Sequence, residues 1–129
     1  MADRTGVRFL AAVPALPVSD ERRTVAFFED LGFTELTHAG AGLGILRCDA
    51  VEIHLWVADG SAPGAERRLA GSASCRVQVT GVDDLFERCR GLGVLHPAAP
   101  LRDEPWGTRE FGVLDPDGNL VSLFQRLET

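Results

Sequence analysis

Trp106 stands between Pro105 and Gly107, just after the acidic pair Asp103 and Glu104 and shortly before Arg109 and Glu110. A tryptophan face is suited to stacking on a flat ring system, and the two acidic residues would draw a cationic ligand toward it. The same indole could instead be a loop anchor that covers core beside Pro105. His54 and Trp56 share a strand face with Glu52, because alternate residues of a strand point the same way. An imidazole there is either part of a ligand pocket or a satisfied core histidine, and Trp56 is either a pocket wall or a strand-end cover for core. Ser74, Arg76 and Ser122 supply hydroxyls and a guanidinium that can orient a polar ligand or bind a carboxylate. Arg76 could equally pair with a carboxylate of the chain itself, and Arg109 and Glu110 could form an internal ion pair or lie at the groove edge, the ion pair being the favoured reading of both.

Other chemistries are excluded by composition. All 13 basic residues are Arg, and Lys and Tyr are absent, which removes lysine Schiff bases, lysine bases and tyrosine acids. With 19 acidic residues against 13 basic ones the net charge is -6, a repulsive balance toward a phosphate backbone, so nucleic acid is not an expected partner. Three widely spaced cysteines, Cys48, Cys75 and Cys89, suit reduced thiols better than a disulfide framework. No apolar run approaches the roughly 18 residues of a membrane span, and the first residues lack a cationic stretch leading into a long apolar one. A cytoplasmic protein without membrane partners is therefore expected. Gly40, Gly42 and Gly44 do not form a phosphate loop, since no G-x-G-x-x-G or G-K-[ST] pattern is present.

The elements that must position these residues follow from periodicity. Residues 9–18, FLAAVPALPV, are apolar but interrupted by Pro14 and Pro17, which points to an edge or bent strand able to pair with a second copy. Ser19 offers an N-cap with Asp20 and Glu21 in the first turn, and Val25, Phe28 and Leu31 before Gly32 predict a helix over 20–31. Strands at 33–38, 43–48 and 51–57 form a meander, and the Ala-, Gly- and Ser-rich stretch 58–72 is a connector. The pattern then restarts with a strand over 73–80, a helix over 82–92, and strands near 93–96, 109–114 and 119–126. Asp115-Pro116-Asp117-Gly118-Asn119 has the composition of a tight turn. Setting Val18 over Val79 and His54 over Ser122 makes the halves diverged copies. The expected fold is α+β: two βαβββ modules, about 7–57 and 73–126, in one domain. In each, a helix covers one face of a small antiparallel sheet, and the sheets face each other across a cleft.

The strings VRFLAAVPALPVSD at 7–20, VAFFEDLGF at 25–33 and, above all, EPWGTREFGVLDPDGNLVSLF at 104–124 resemble the vicinal oxygen chelate superfamily and, within it, the bleomycin resistance proteins. Metal-dependent members hold a divalent ion with four side chains, a pair from each half. By position these fall at Val13, His54, Ser74 and Ser122, of which only His54 is a usual ligand. Glu52 could serve if the register shifted by two, but the second half offers nothing comparable, so no cofactor is expected. The bleomycin resistance proteins are metal-free binders that sequester the drug in two grooves formed by a homodimer. The resemblance implies the same here, with Trp106 as a stacking wall. The family's opposing aromatic falls near Ala41 or Gly42, where Phe33 could substitute only by facing the cleft. That gap leaves room for another planar or cationic antibiotic. The expected ligand-binding set is Trp106, His54, Trp56, Phe33, Ser74, Arg76, Ser122, Asp103 and Glu104. The alternatives are a metal-dependent lyase or dioxygenase using Glu52 and His54, and a ligand sensor.

Overall fold

The computed structural model describes residues 3–36 and 42–128. Its first module runs β1 (Ala15–Val18), α1 (Glu21–Asp30), β2 (Thr34–Glu35), β3 (Gly44–Cys48) and β4 (Val51–Val57). The second runs β5 (Ser74–Gln78), α2 (Val82–Leu92), β6 (Arg102–Glu104), β7 (Thr108–Leu114) and β8 (Leu120–Arg126). Each builds a four-stranded sheet, in the orders β1-β4-β3-β2 and β5-β8-β7-β6. The βαβββ order therefore occurs twice, as the sequence implies. The sheets are mixed rather than antiparallel, because β1 pairs parallel with β4 and β5 parallel with β8. Each helix returns the chain to its starting end, and the two reversals of the following meander leave the last strand running the same way as the first.

The internal repeat is visible in the register. Ala15 lies opposite His54 and Arg76 opposite Ser122, the correspondence expected from setting Val18 over Val79 and His54 over Ser122.

Several boundaries differ from the sequence reading, each for a local reason. The first strand begins only at Ala15, although the Pro14 carbonyl still accepts a bond from His54 N at 2.9 Å. Upstream, Phe9 and Leu10 are 89% and 83% exposed. Pro17 is tolerated because β1 is an edge strand. Asp20, not Ser19, caps α1: its carboxylate accepts from Arg23 N at 3.1 Å, while Ser19 turns to Asp117. The strand expected over 33–38 is only Thr34–Glu35; residues 37 and 38, like Ala41, lie outside the described residues. The connector holds a short 3-10 turn at Arg67–Leu69. Residues 93–96 are reduced to a single bridge, Leu95 to Val113, because Pro97 and Pro100 interrupt the ladder before it resumes as β6, which the sequence reading omits.

The helix-bearing faces of both sheets feed one core, including Leu16, Val18, Phe28, Ile53, Leu55, Val77, Phe111, Val113 and Val121. The modules are latched by the turn after β7. Asp117 accepts from Ser19 N at 2.9 Å, Ser19 Oγ at 2.5 Å and Arg23 Nη2 at 3.3 Å. Buried Asn119 donates to the Pro17 carbonyl at 2.8 Å and accepts from Ala73 N at 3.0 Å. Gly71 packs so closely that a Cβ there would stand 2.0 Å from the Asp117 carbonyl oxygen.

Candidate ligand-binding site

The two sheets leave opposite sides for function, and the expected residues divide between them. A cavity of about 560 Å³ between the modules is lined by helix-side residues, among them Phe28, Leu31, Phe33, Val77, Leu85 and Leu123. It is not the expected cleft between sheets, because strand alternation turns His54, Trp56, Ser74, Arg76 and Ser122 to the faces that no helix covers. Phe33 belongs to the cavity side, with its ring edge-on to Phe28 at 5.3 Å, so it does not replace the missing aromatic opposite Trp106. Gly42 carries no side chain and adopts φ +90.

On the uncovered face of the first sheet, His54 Nε2 donates to Glu52 Oε2 at 2.6 Å and Arg47 Nη2 to Glu52 Oε1 at 2.7 Å. These partners, His54 first, hold the Glu52 carboxyl below its ordinary range. Trp56 follows on the same face, half-buried and opposite Pro17.

The uncovered face of the second sheet gathers the larger cluster. Glu104 pairs with Thr108 across the β6–β7 hairpin, leaving a three-residue loop of Pro105, Trp106 and Gly107. Gly107 N bonds to the Glu104 carbonyl at 3.1 Å and Gly107 has φ +88. Proline at the first corner and a left-handed glycine at the end suit this turn, but nothing in the turn calls for tryptophan. Trp106 is 63% exposed, so the indole does not cap the core. It borders a hollow of about 140 Å³ with Arg102, Glu104, Glu110 and Ser122. Arg76 lies opposite Ser122 and stacks over Phe124 at 4.6 Å, and Ser74 is exposed two residues earlier along β5.

Arg76 makes the carboxylate pair that composition allows, donating to both Glu110 oxygens at 3.0 and 2.9 Å. Glu110 also accepts from Thr108 Oγ1 at 2.5 Å and Trp106 Nε1 at 3.2 Å. Arg76, then Thr108 and Trp106, hold its carboxyl down to about 2. Glu110 thus forms the internal ion pair expected of it and also belongs to the cluster around Trp106, which the expected ligand-binding set omits. Its signal was a strand position two residues beyond Thr108, on the same face.

The acidic draw expected before Trp106 is divided. Glu104 faces the hollow and accepts from Arg102 Nε at 2.5 Å. Asp103 points to the other side of the sheet, where Arg109 bridges it, at 3.0 Å, to Asp83 of α2. It is therefore remote from the indole face, since adjacent strand residues alternate sides.

Metal chemistry finds no matching donor set. Among the described residues no group of three or more His, Cys, Asp or Glu is placed to hold an ion. Glu52 and His54 spend their facing atoms on each other. The corresponding position in the second half is the hydroxyl of Ser122, a poor ligand for a divalent catalytic ion. The cysteines are all free, and burial pushes Cys75 and Cys89 up to about 11, which leaves them as thiols at neutral pH.

A paired βαβββ architecture with these uncovered faces defines the class. The chain belongs to the Glyoxalase/Bleomycin resistance protein/Dioxygenase superfamily, whose model matches residues 10–123. It is 42% identical to bleomycin resistance proteins of Geobacillus stearothermophilus and Staphylococcus aureus over 93% of this chain and 99% of theirs. A bleomycin resistance protein of Klebsiella pneumoniae is 30% identical over 88% of this chain and 90% of its own. Among solved structures, a bleomycin-binding protein from bleomycin-producing Streptomyces verticillus, complexed with copper(II)-bleomycin, superposes with a TM-score of 0.74 at 27% identity, covering 95% of this chain and 99% of that one. A bleomycin resistance determinant encoded on the transposon Tn5 also gives 0.74 at 27% identity, over 92% and 98%.

Proposed function

We propose that this protein binds bleomycin or a closely related planar, cationic antibiotic stoichiometrically in the cytoplasm and protects by sequestration, without breaking a bond. The observation that carries the reading is Trp106, a large aromatic left exposed at a turn that does not require it, beside a hollow that also presents Arg102, Glu104, Glu110 and Ser122. The similarity to bleomycin resistance proteins along nearly the whole chain supports the same ligand class. Trp106 is the stacking wall, with Glu104, Ser122, Ser74 and Arg76 around it on one sheet and His54 and Trp56 on the other.

The working form is a homodimer. His54 and Trp56 lie on a different uncovered face from Trp106, and the arm bearing Phe9 and Leu10 is exposed in the single chain. A second copy would cover the arm and bring the first sheet of one subunit over the second sheet of its partner, completing two grooves.

Titration of the protein with metal-free bleomycin, alongside phleomycin and unrelated planar antibiotics, tests the reading by calorimetry and tryptophan fluorescence. Saturation near one drug per chain, weakened at least about ten-fold by Trp106→Ala as for an aromatic anchor, is the expected result. Slow chemical modification of the drug, or binding indifferent to Trp106, would overturn it.

A further inference from the structure

Trp106 presents a mechanical difficulty. An indole that is 63% exposed at a hairpin tip has little packing to fix its side-chain torsions, and a freely turning ring must be immobilised each time it stacks on a ligand. The only polar atom of the side chain, Nε1, is tethered 3.2 Å from Glu110 Oε2.

Glu110 is itself held firmly. Arg76 grips both of its oxygens, Thr108 Oγ1 donates to Oε2, and Arg76 in turn lies over the Phe124 ring. Four donors therefore converge on one carboxylate whose side chain is only 12% exposed, with little of it left for a ligand cation. The chain of contacts runs from the sheet through Phe124, Arg76 and Glu110 to the edge of the indole, leaving the aromatic faces unengaged by that bond.

We propose that Glu110 is the positioning residue of the Trp106 wall: its carboxylate fixes the indole by one edge so that the ring is preset beside the hollow before any ligand arrives. Glu110 lines the hollow, but in this role it acts through Trp106 rather than by contact with the ligand. Preorganisation of one rotamer-rich side chain is worth about three- to ten-fold in affinity. The inference rests on the reading of Trp106 as a binding wall, but its first consequence, an ordered indole in the ligand-free protein, does not.

The experiment compares the intact protein, Glu110→Ala and Glu110→Gln. The backbone-independent signal is the Trp106 indole N–H in a nitrogen-proton correlation spectrum, assigned by its loss in Trp106→Phe. In the unaltered protein the order parameter of that N–H should approach the rigid value of about 0.85, and in Glu110→Ala it should fall below about 0.6. Glu110→Gln keeps the shape and one acceptor oxygen, so it should give an intermediate value and serves if the alanine variant does not fold. An indole already mobile in the parent, or as ordered in both variants as in the parent, overturns the inference. Bleomycin affinity supplies the second arm: Glu110→Ala should weaken binding three- to ten-fold in the parent and less than about two-fold in a Trp106→Phe background, which has no indole N–H. Equal losses in both backgrounds would mean that Glu110 merely supports the sheet, and would overturn the inference too. If the parent binds no bleomycin, the proposed function fails while the order of the indole still decides the role of Glu110.

Discussion

At the scale of single residues, the carboxylates near the site serve the fold as much as the ligand. Glu110 shows this most clearly, because its carboxyl falls from an ordinary 4.5 to about 2 under the donors of Arg76, Thr108 and Trp106. A group whose acidity is raised by folding stabilises the folded state when ionised. That contribution is complete above the ordinary value near 4.5 and is lost as pH falls toward 2. Urea unfolding followed across this range should therefore show a steeper loss of stability for the parent than for Glu110→Gln, which has no carboxyl to titrate. At neutral pH the same substitution should cost about 1–3 kcal/mol, the size of charge-assisted bonds to a little-exposed group. Parallel pH profiles for the two proteins would show that the Arg76 pair contributes nothing to folding. Glu52 is held below its ordinary range by His54 and then Arg47, so its contribution has the same sign. It is more open to solvent than Glu110, which weakens its effect.

At the scale of elements, the turn Asp115–Asn119 does more than reverse the chain. Asp115 organises it by accepting from the backbone N–H groups of Asp117, Gly118 and Asn119 at 2.9, 2.9 and 2.8 Å. Asn119 then reaches the Pro17 carbonyl in the other module. Asn119→Ala would leave the half-buried Ala73 N–H and the Pro17 carbonyl without the partner that Asn119 supplies and loosen the junction of β1 with the second module, so we expect a loss of about 2–3 kcal/mol in denaturant unfolding. A change below about 0.5 kcal/mol would mean that the turn closes without latching. Sequence composition identifies this turn correctly, yet the latch is illegible there because Ser19 and Asp117 meet across 98 residues of chain. The helices are legible for the opposite reason: the apolar spacing from Val82 to Leu92, and that of Val25, Phe28 and Leu31 before Gly32, are local signals. β6 was missed because three polar residues, Arg102, Asp103 and Glu104, carry no apolar alternation. Within the site, alternation correctly groups His54 with Trp56 and Arg76 with Ser74, but it cannot say which side of the sheet Phe33 will meet. A tertiary contact with Phe28 decides that. Glu104 and Asp103, adjacent in sequence and alike in charge, separate by strand alternation, one toward the hollow and one toward α2, which stayed hidden because β6 itself was not legible.

At the scale of the whole molecule, the net charge of -6 is spread rather than concentrated at the hollow, where Glu104 and Glu110 are matched by Arg102 and Arg76. A cationic ligand would thus be attracted by the chain at long range and held by stacking and hydrogen bonding once there. The remaining question of architecture is whether one chain suffices. Trp56 and Trp106 stand on faces of different sheets, and neither lines the cavity between the modules. If each groove combines the first sheet of one subunit with the second sheet of its partner, Trp56→Ala and Trp106→Ala both damage every groove of their own homodimers. Mixing equal amounts of the two variants under conditions that exchange subunits produces heterodimers with one undamaged groove and one carrying both changes. Calorimetric titration of that mixture with bleomycin should recover a parental-affinity class of sites amounting to about one quarter of the grooves, the value for random exchange. Were both tryptophans to serve a groove within a single chain, every groove in the mixture would keep one defect, and no parental-affinity class would appear at any mixing ratio.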